Sequence, residues 1–135
     1  VRAEGGDTGS ISMVLLVDQD AASLPVLVEA AELEGLRPVL MASAADAGIL
    51  ALRFNHIVLL VLDISSGAAA DPTAARRLRV EAAHVGHIPV AVMCDRPLTK
   101  KELDALRPIA TAVKPLHLGA ARAMMRAASV ADVMK

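Results

Sequence analysis

The sequence predicts a doubly wound α/β domain on a five-stranded parallel sheet of order 2-1-3-4-5, and three observations carry that expectation. Short runs of branched apolar residues alternate five times with stretches whose apolar residues recur at near-helical spacing. Most of the connections are only a few residues long. The run IVLLVL (57–62) is apolar at every position, as expected of a strand covered on both faces. Right-handed crossovers then place helices on both sides of the sheet.

MVLLVD (13–18) forms β1. In 21–34, residues Leu24, Leu27, Val28, Ala31 and Leu33 share a helical face and define α1, with Gly35 as its stop. Pro25 places the start of α1 near Ser23 or Leu24, because a proline deeper inside removes a backbone bond. PVLMA (38–42) is β2. Ser43 and Asp46 have the spacing of a capping box, opening α2 (44–54). IVLLVLD (57–63) is β3, followed by the loop ISSGAAADP and α3 (72–85). IPVAVMC (88–94) is β4. Thr99 and Glu102 cap α4 (100–106), IATAV (109–113) is β5, and 117–134 form α5, rich in Ala and Met.

The chain has 135 residues, the size of one domain: 13–135 are its body, and the polar, Gly-rich 1–12 are read as a linker or remnant. Hydrophobic residues make up 55%, and mean hydropathy is +0.50. The longest apolar run is nevertheless far short of the roughly 20 residues that cross a bilayer. Net charge is −1, and Phe54 is the only aromatic residue, so neither a basic footprint nor a base-stacking platform for nucleic acid is present. The lone cysteine, Cys94, excludes an internal disulfide and fits a reducing compartment. No signal-peptide pattern is visible, and a cytoplasmic location is expected. His56, His84, His87 and His117 have no partner at zinc-ligand spacing. Arg76, Arg77 and Arg79 read as a solvated helix face. The glycines of EGGDTGS precede β1 instead of following it, which excludes a dinucleotide loop.

Ligands of open α/β sheets bind outside the carboxyl ends of the strands. Asp18, Gln19 and Asp20 follow β1, Asp63 ends β3, Cys94 and Asp95 end β4, and Lys114 follows β5. In the order 2-1-3-4-5 these groups surround one pocket. Clustered carboxylates repel one another by roughly 1–4 kcal/mol per pair at 4 Å, so a hard cation or a lysine ammonium is expected among them.

VLLVDQD, VLLVLDIS, IPVAVMC and VKPL, in this order and separation, resemble the receiver (CheY-like) domain of two-component response regulators and hybrid histidine kinases, over 13–135. The resemblance implies a flavodoxin-like (βα)5 fold and phosphorelay signalling. Asp63 matches the phosphoacceptor, and Lys114 matches the lysine that contacts the phosphoryl oxygen. Pro115 implies a cis peptide bond. A Mg²⁺ ion would be held by Asp18, Asp63, the backbone carbonyl of Ser65 and position 19. A histidine kinase or phosphotransfer protein would be the partner, and a homodimer through the α4-β5-α5 face is a further expectation.

The chain departs from the pattern at several of these positions. Gln19 stands where the family has a metal-binding carboxylate; an amide dipole is a poorer Mg²⁺ ligand, so weak binding is expected. Asp20, one residue later, reads as the N-cap of α1 and not as a substitute. Cys94 and Thr111 stand at the family's switch positions, where a hydroxyl and an aromatic are usual. Gly67 and Asp71 replace the usual proline and glycine after the phosphoacceptor. The alternative is a pseudo-receiver, a module binding protein or small ligands without phosphorylation. A flavodoxin-like nucleotide binder is disfavoured by acidic DQDAAS and the missing aromatics. No nucleophile–base pair indicates an enzyme, beyond Mg²⁺-dependent self-phosphorylation at Asp63.

Overall fold

In the computed structural model five parallel strands form one sheet in the order β2-β1-β3-β4-β5. The structure describes residues 12–17, 19–41, 56–64 and 88–133, with side chains to 128. Their elements are β1 (Met13–Val17), α1 (Ser23–Leu33), β2 (Arg37–Met41), β3 (Ile57–Asp63), β4 (Val90–Cys94), α4 (Lys100–Leu106), β5 (Ala110–Val113) and α5 (Leu118–Val133). The expected α2 and α3, the Ser43–Asp46 box, the 65–71 loop with Gly67 and Asp71, the arginines of 76–79, His84, His87 and segment 1–11 lie outside the described residues.

The expected strand order is observed, with small differences at the ends. β2 begins at Arg37 rather than Pro38, because Met13 pairs with Arg37 and extends the ladder by one residue. β4 begins at Val90 rather than Ile88, since Leu60 pairs with Val90 while Pro89 supplies only its carbonyl to the Leu60 amide.

Alternation along the strands divides the core into two layers. Val14, Leu16, Leu59, Val61, Ala91 and Met93 face α1 and α5. Leu15, Val17, Leu60, Leu62, Val92 and Cys94 face the other side with Leu106 of α4. Every residue of β4 is buried, as a strand covered on both faces requires. The sheet has no aromatic to fill space, so α1 and α5 meet through Leu27, Ala30 and Ala31 against Ala121, Met124, Met125 and Ala128. The small residues permit close approach, and the methionines fill the remaining gaps.

Gly35 ends α1 as the sequence predicts. Its φ of +76° is the left-handed conformation that glycine adopts without a Cβ penalty. The Leu36 amide donates to the Ala31 carbonyl at 2.8 Å and the Gly35 amide to that of Glu32 at 3.1 Å, the paired bonds of a Schellman ending. Glu34, at the same terminus, accepts from Arg122 of α5 at 2.7 Å and Arg126 at 3.3 Å, fastening the helix pair on its outer side. These arginines hold the Glu34 carboxyl below its ordinary value.

Candidate functional site at the carboxyl edge of the sheet

The carboxyl ends of β1, β3, β4 and β5 lie side by side, and parallel pairing brings Asp63 level with Met93 and Cys94 level with Val113. The Lys114 amide donates to the Cys94 carbonyl at 2.8 Å, so the residue leaving β5 is fixed before its side chain begins. The Lys114–Pro115 peptide bond is cis. Lys114 Nζ donates to Asp63 Oδ2 at 2.7 Å, with the Asp63 side chain only 5% exposed.

The same ammonium donates to Asp20 Oδ2. The N-cap position of α1 is Ala22, without a side-chain cap bond, and Asp20 instead closes the turn before it: its Oδ1 accepts the Ser23 amide at 2.7 Å, and its carbonyl accepts the Leu24 amide at 3.1 Å. Its contact with Lys114 keeps Asp20 among the strand-end groups of the pocket. A carboxylate has two oxygens, and here one closes the turn while the other reaches Lys114. The turn Asp20–Ala22 between β1 and α1 carries it there.

Gln19 turns its amide nitrogen to the strand backbones. Its Nε2 donates to the Val17 carbonyl at 2.9 Å and to the Val61 carbonyl at 3.0 Å. The amide therefore ties the end of β1 to β3. Its Oε1 is buried, with no hydrogen-bond partner among the described residues. Asp18 and Ser65 lie outside the described residues, so their expected roles gain nothing from the geometry.

Electrostatics follow from this arrangement. Lys114, and secondarily the Ser23 amide, hold the Asp20 carboxyl far below the ordinary aspartate value. Burial alone pulls the Lys114 amine down; its bonds to Asp20 and Asp63 outweigh that and leave it raised. Beside the pair is a cavity of about 470 Å³ lined by Asp20, Ala22, Ser23, Lys114, Pro115 and Leu116.

Cys94 ends β4 and is buried, its Sγ 3.6 Å from Asp95 Oδ1 and 3.9 Å from the Ile64 carbonyl. A thiol is a weak donor, and both contacts are long. Thr111 is exposed on β5, on the sheet face that carries Val92 and Cys94.

Sequence reasoning missed the fastening of the β4–α4 loop. Arg96 Nη1 and Nη2 meet Glu102 Oε1 and Oε2 at 2.7 Å each, fork to fork. Glu102 is 2% exposed and completes the expected capping box, accepting the Thr99 amide at 2.8 Å while its own amide donates to Thr99 Oγ1 at 3.1 Å. Arg96 above all, then the Thr99 amide, lower its carboxyl to about 2 against the cost of burial. The acid at the third position of α4 was legible as a cap; its partner six residues earlier was not.

Solved structures of response regulators and receiver domains share this architecture. The signal receiver domain of an HD domain-containing protein from Pseudomonas fluorescens superposes with a TM-score of 0.67 at 16% identity, over 93% of this chain and 99% of that one. A chemotaxis response regulator of Vibrio cholerae gives 0.65 at 14%, over 87% and 98%. A response regulator from Thermotoga maritima gives 0.63 at 20%, over 87% and 97%. No protein-family model and no curated protein matches the sequence. The chain therefore has the CheY-like receiver fold. Among the described residues no helix is long and apolar enough to cross a membrane.

Proposed function

We propose that this chain is a signal-transduction receiver module whose Asp63 accepts a phosphoryl group from a histidine kinase or phosphotransfer protein. The observation that carries this reading is the 2.7 Å contact of Lys114 Nζ with Asp63 Oδ2, at the end of the central strand. An ionised Asp63 oxygen attacks phosphorus, the bond from phosphorus to the donor imidazole nitrogen breaks, and an aspartyl phosphate results. The nitrogen keeps the electron pair of the broken bond. Lys114, already within reach, neutralises charge on the transferred group as a point cation. Mg²⁺, when bound, supplies further neutralisation of the phosphoryl oxygens. The output is a change in protein contacts on the face formed by α4, β5 and α5. The chain is not otherwise an enzyme on this reading, and its place is the cytoplasm.

The test is incubation with acetyl phosphate and Mg²⁺, read by intact mass. One added phosphoryl group that is lost in Asp63→Asn supports the reading, and no adduct on the wild-type chain overturns it.

The second reading, a pseudo-receiver that binds partners without phosphorylation, is favoured by the Gln19 amide, which is engaged by two backbone carbonyls. It predicts partner binding that Asp63→Asn leaves unchanged.

A further inference from the structure

We propose that Asp20 is a positioning residue that restrains phosphoryl transfer at Asp63: it takes a share of the Lys114 ammonium in the resting pocket and holds that share back from the transferring group. The carbonyl and Oδ1 of Asp20 serve the turn before α1, accepting the Leu24 amide at 3.1 Å and the Ser23 amide at 2.7 Å. Oδ2 goes to Lys114, whose Nζ donates both to it and to Asp63 Oδ2. Lys114 does not need Asp20 to reach the pocket. Its amide is fixed to the Cys94 carbonyl, and its ammonium meets Asp63 Oδ2 at 2.7 Å. What Asp20 adds is a second anion on the same cation.

One ammonium between two carboxylates leaves the three groups with net negative charge. A phosphoryl group arriving at Asp63 is itself anionic and draws on Lys114 in the transition state. Only interactions that are stronger in the transition state than before it lower the barrier. The Lys114–Asp20 bond has the opposite character: it is made in the resting pocket and loosens as the ammonium follows the phosphoryl oxygens. The anchor on the Ser23 amide makes the restraint persistent, because Oδ2 swings away from Lys114 only by disturbing the bond of Oδ1. The Asp20 side chain is 40% exposed, so solvent screens its pull. The restraint is then about fivefold in rate, which corresponds to ~1 kcal/mol of barrier.

This inference rests on the phosphoacceptor reading, and two measurements separate their failures. The first contains no phosphodonor: the proton–nitrogen NMR spectrum of the lysine ammonium groups in the intact chain, with Lys114 identified by the signal that Lys114→Met removes. An ammonium held by two carboxylates is shielded from water, and in Asp20→Asn its signal should broaden. Asparagine keeps an oxygen for the Ser23 amide, so this variant removes the charge and keeps the turn. The second is the rate of phosphorylation by acetyl phosphate at saturating Mg²⁺, read by intact mass. A bond forms between an Asp63 oxygen and phosphorus as the bond from phosphorus to the acetate oxygen breaks, and acetate leaves with the electron pair. Asp20→Asn should react about fivefold faster than wild type. A residue that only supports the turn gives the opposite sign, because a loosened pocket slows the reaction. A Lys114 signal no sharper in wild type than in Asp20→Asn overturns the proposal. So does a rate equal to or below that of wild type in a variant whose circular-dichroism melt shows it folded. Asp20→Ser, whose hydroxyl accepts the Ser23 amide but is too short for Lys114, carries the same expectations should Asp20→Asn fail to fold. No adduct on the wild-type chain overturns the phosphoacceptor reading and this inference with it, whereas adducts formed at equal rates overturn this inference alone.

Discussion

Gln19 Nε2 lies 3.0 Å from the Val61 carbonyl oxygen, a side-chain bond from the residues beyond β1 to the backbone of β3. With its second bond to Val17, it makes the amide a clasp across two strand ends. Only a donor fits between two carbonyls. Gln19→Glu keeps the size but presents acceptor to acceptor, and is expected to cost about 1–3 kcal/mol at pH 7. Urea denaturation measures this. The deficit should shrink below about pH 4, where a protonated carboxyl regains an O–H donor. An equally stable Gln19→Glu at pH 7 would show that the clasp contributes little.

Lys114 carries a second, independent expectation. Asp20 titrates below its ordinary 3.8 when folded, because Lys114 and the Ser23 amide favour its charged form. A depressed folded value contributes stability above 3.8 that disappears as pH falls toward the folded value. Wild type should therefore lose this contribution progressively in acid below about pH 4. Lys114→Met should lack most of it already at pH 7. The side chain of Asp20 is 40% exposed, so solvent screening holds its share to about 1 kcal/mol or less. Stability curves of the two chains against pH should converge in acid; parallel curves would contradict the linkage.

Much of the fold was legible because periodicity reports burial directly. IVLLVLD is buried at all but two positions of β3, and its two-faced covering follows from its neighbours in the sheet. Asp63 and Lys114 could be placed at one edge because each stands at a strand end, where position along the chain determines position in space. Asp20 was placed at the same edge, but its bond to Lys114 was not legible, since it stands three residues beyond β1 and one residue of offset reverses where a side chain is aimed. Gln19 was read as a weakened ligand for the same reason. Its Nε2 donates to two backbone carbonyls, which no residue type in the sequence marks. Arg96–Glu102 and Glu34–Arg122 escaped for a related reason: charged pairs formed across a loop or between helices leave no periodic trace.

The Arg96–Glu102 fork ties the β4–α4 loop to the first turn of α4. Glu102 is depressed from 4.5 to about 2, so its contribution is complete above pH 4.5 and is lost as pH falls toward 2. Glu102→Gln keeps the cap hydrogen-bonding capacity but removes the charge from the fork with Arg96, at an expected cost on the order of 1–3 kcal/mol at pH 7. Thr99→Ala removes the reciprocal cap and should cost about 1 kcal/mol. Thermal melts of both variants at pH 7 measure these losses. Amide exchange in 95–99 should quicken more in Glu102→Gln than in Thr99→Ala, because only the former weakens the fork between Arg96 and Glu102. Equal exchange in the two variants would show that the cap, and not the ion pair, holds the loop.

β5 is an edge strand, and its outer positions are uncovered. Thr111 pairs with Val92 and Val113 with Cys94, so both project on the α4 side of the sheet, where they remain exposed. Val113 is 48% exposed, Ile109 39% and Leu103 of α4 41%. Lys100, Lys101, Asp104 and Arg107 around them are exposed and carry both signs. Exposed apolar side chains among charges of both signs suit contact between protein surfaces, and the homodimer expected from the resemblance would use this face. Val113→Glu places a charge on that face at a half-exposed position, so fold stability should change by only about 0.5 kcal/mol. Sedimentation velocity at increasing concentration should show the wild type self-associating, with the dimer of Val113→Glu weakened at least tenfold. A wild type that stays monomeric, or a Val113→Glu chain that dimerises equally well, would assign this face to another partner or to none.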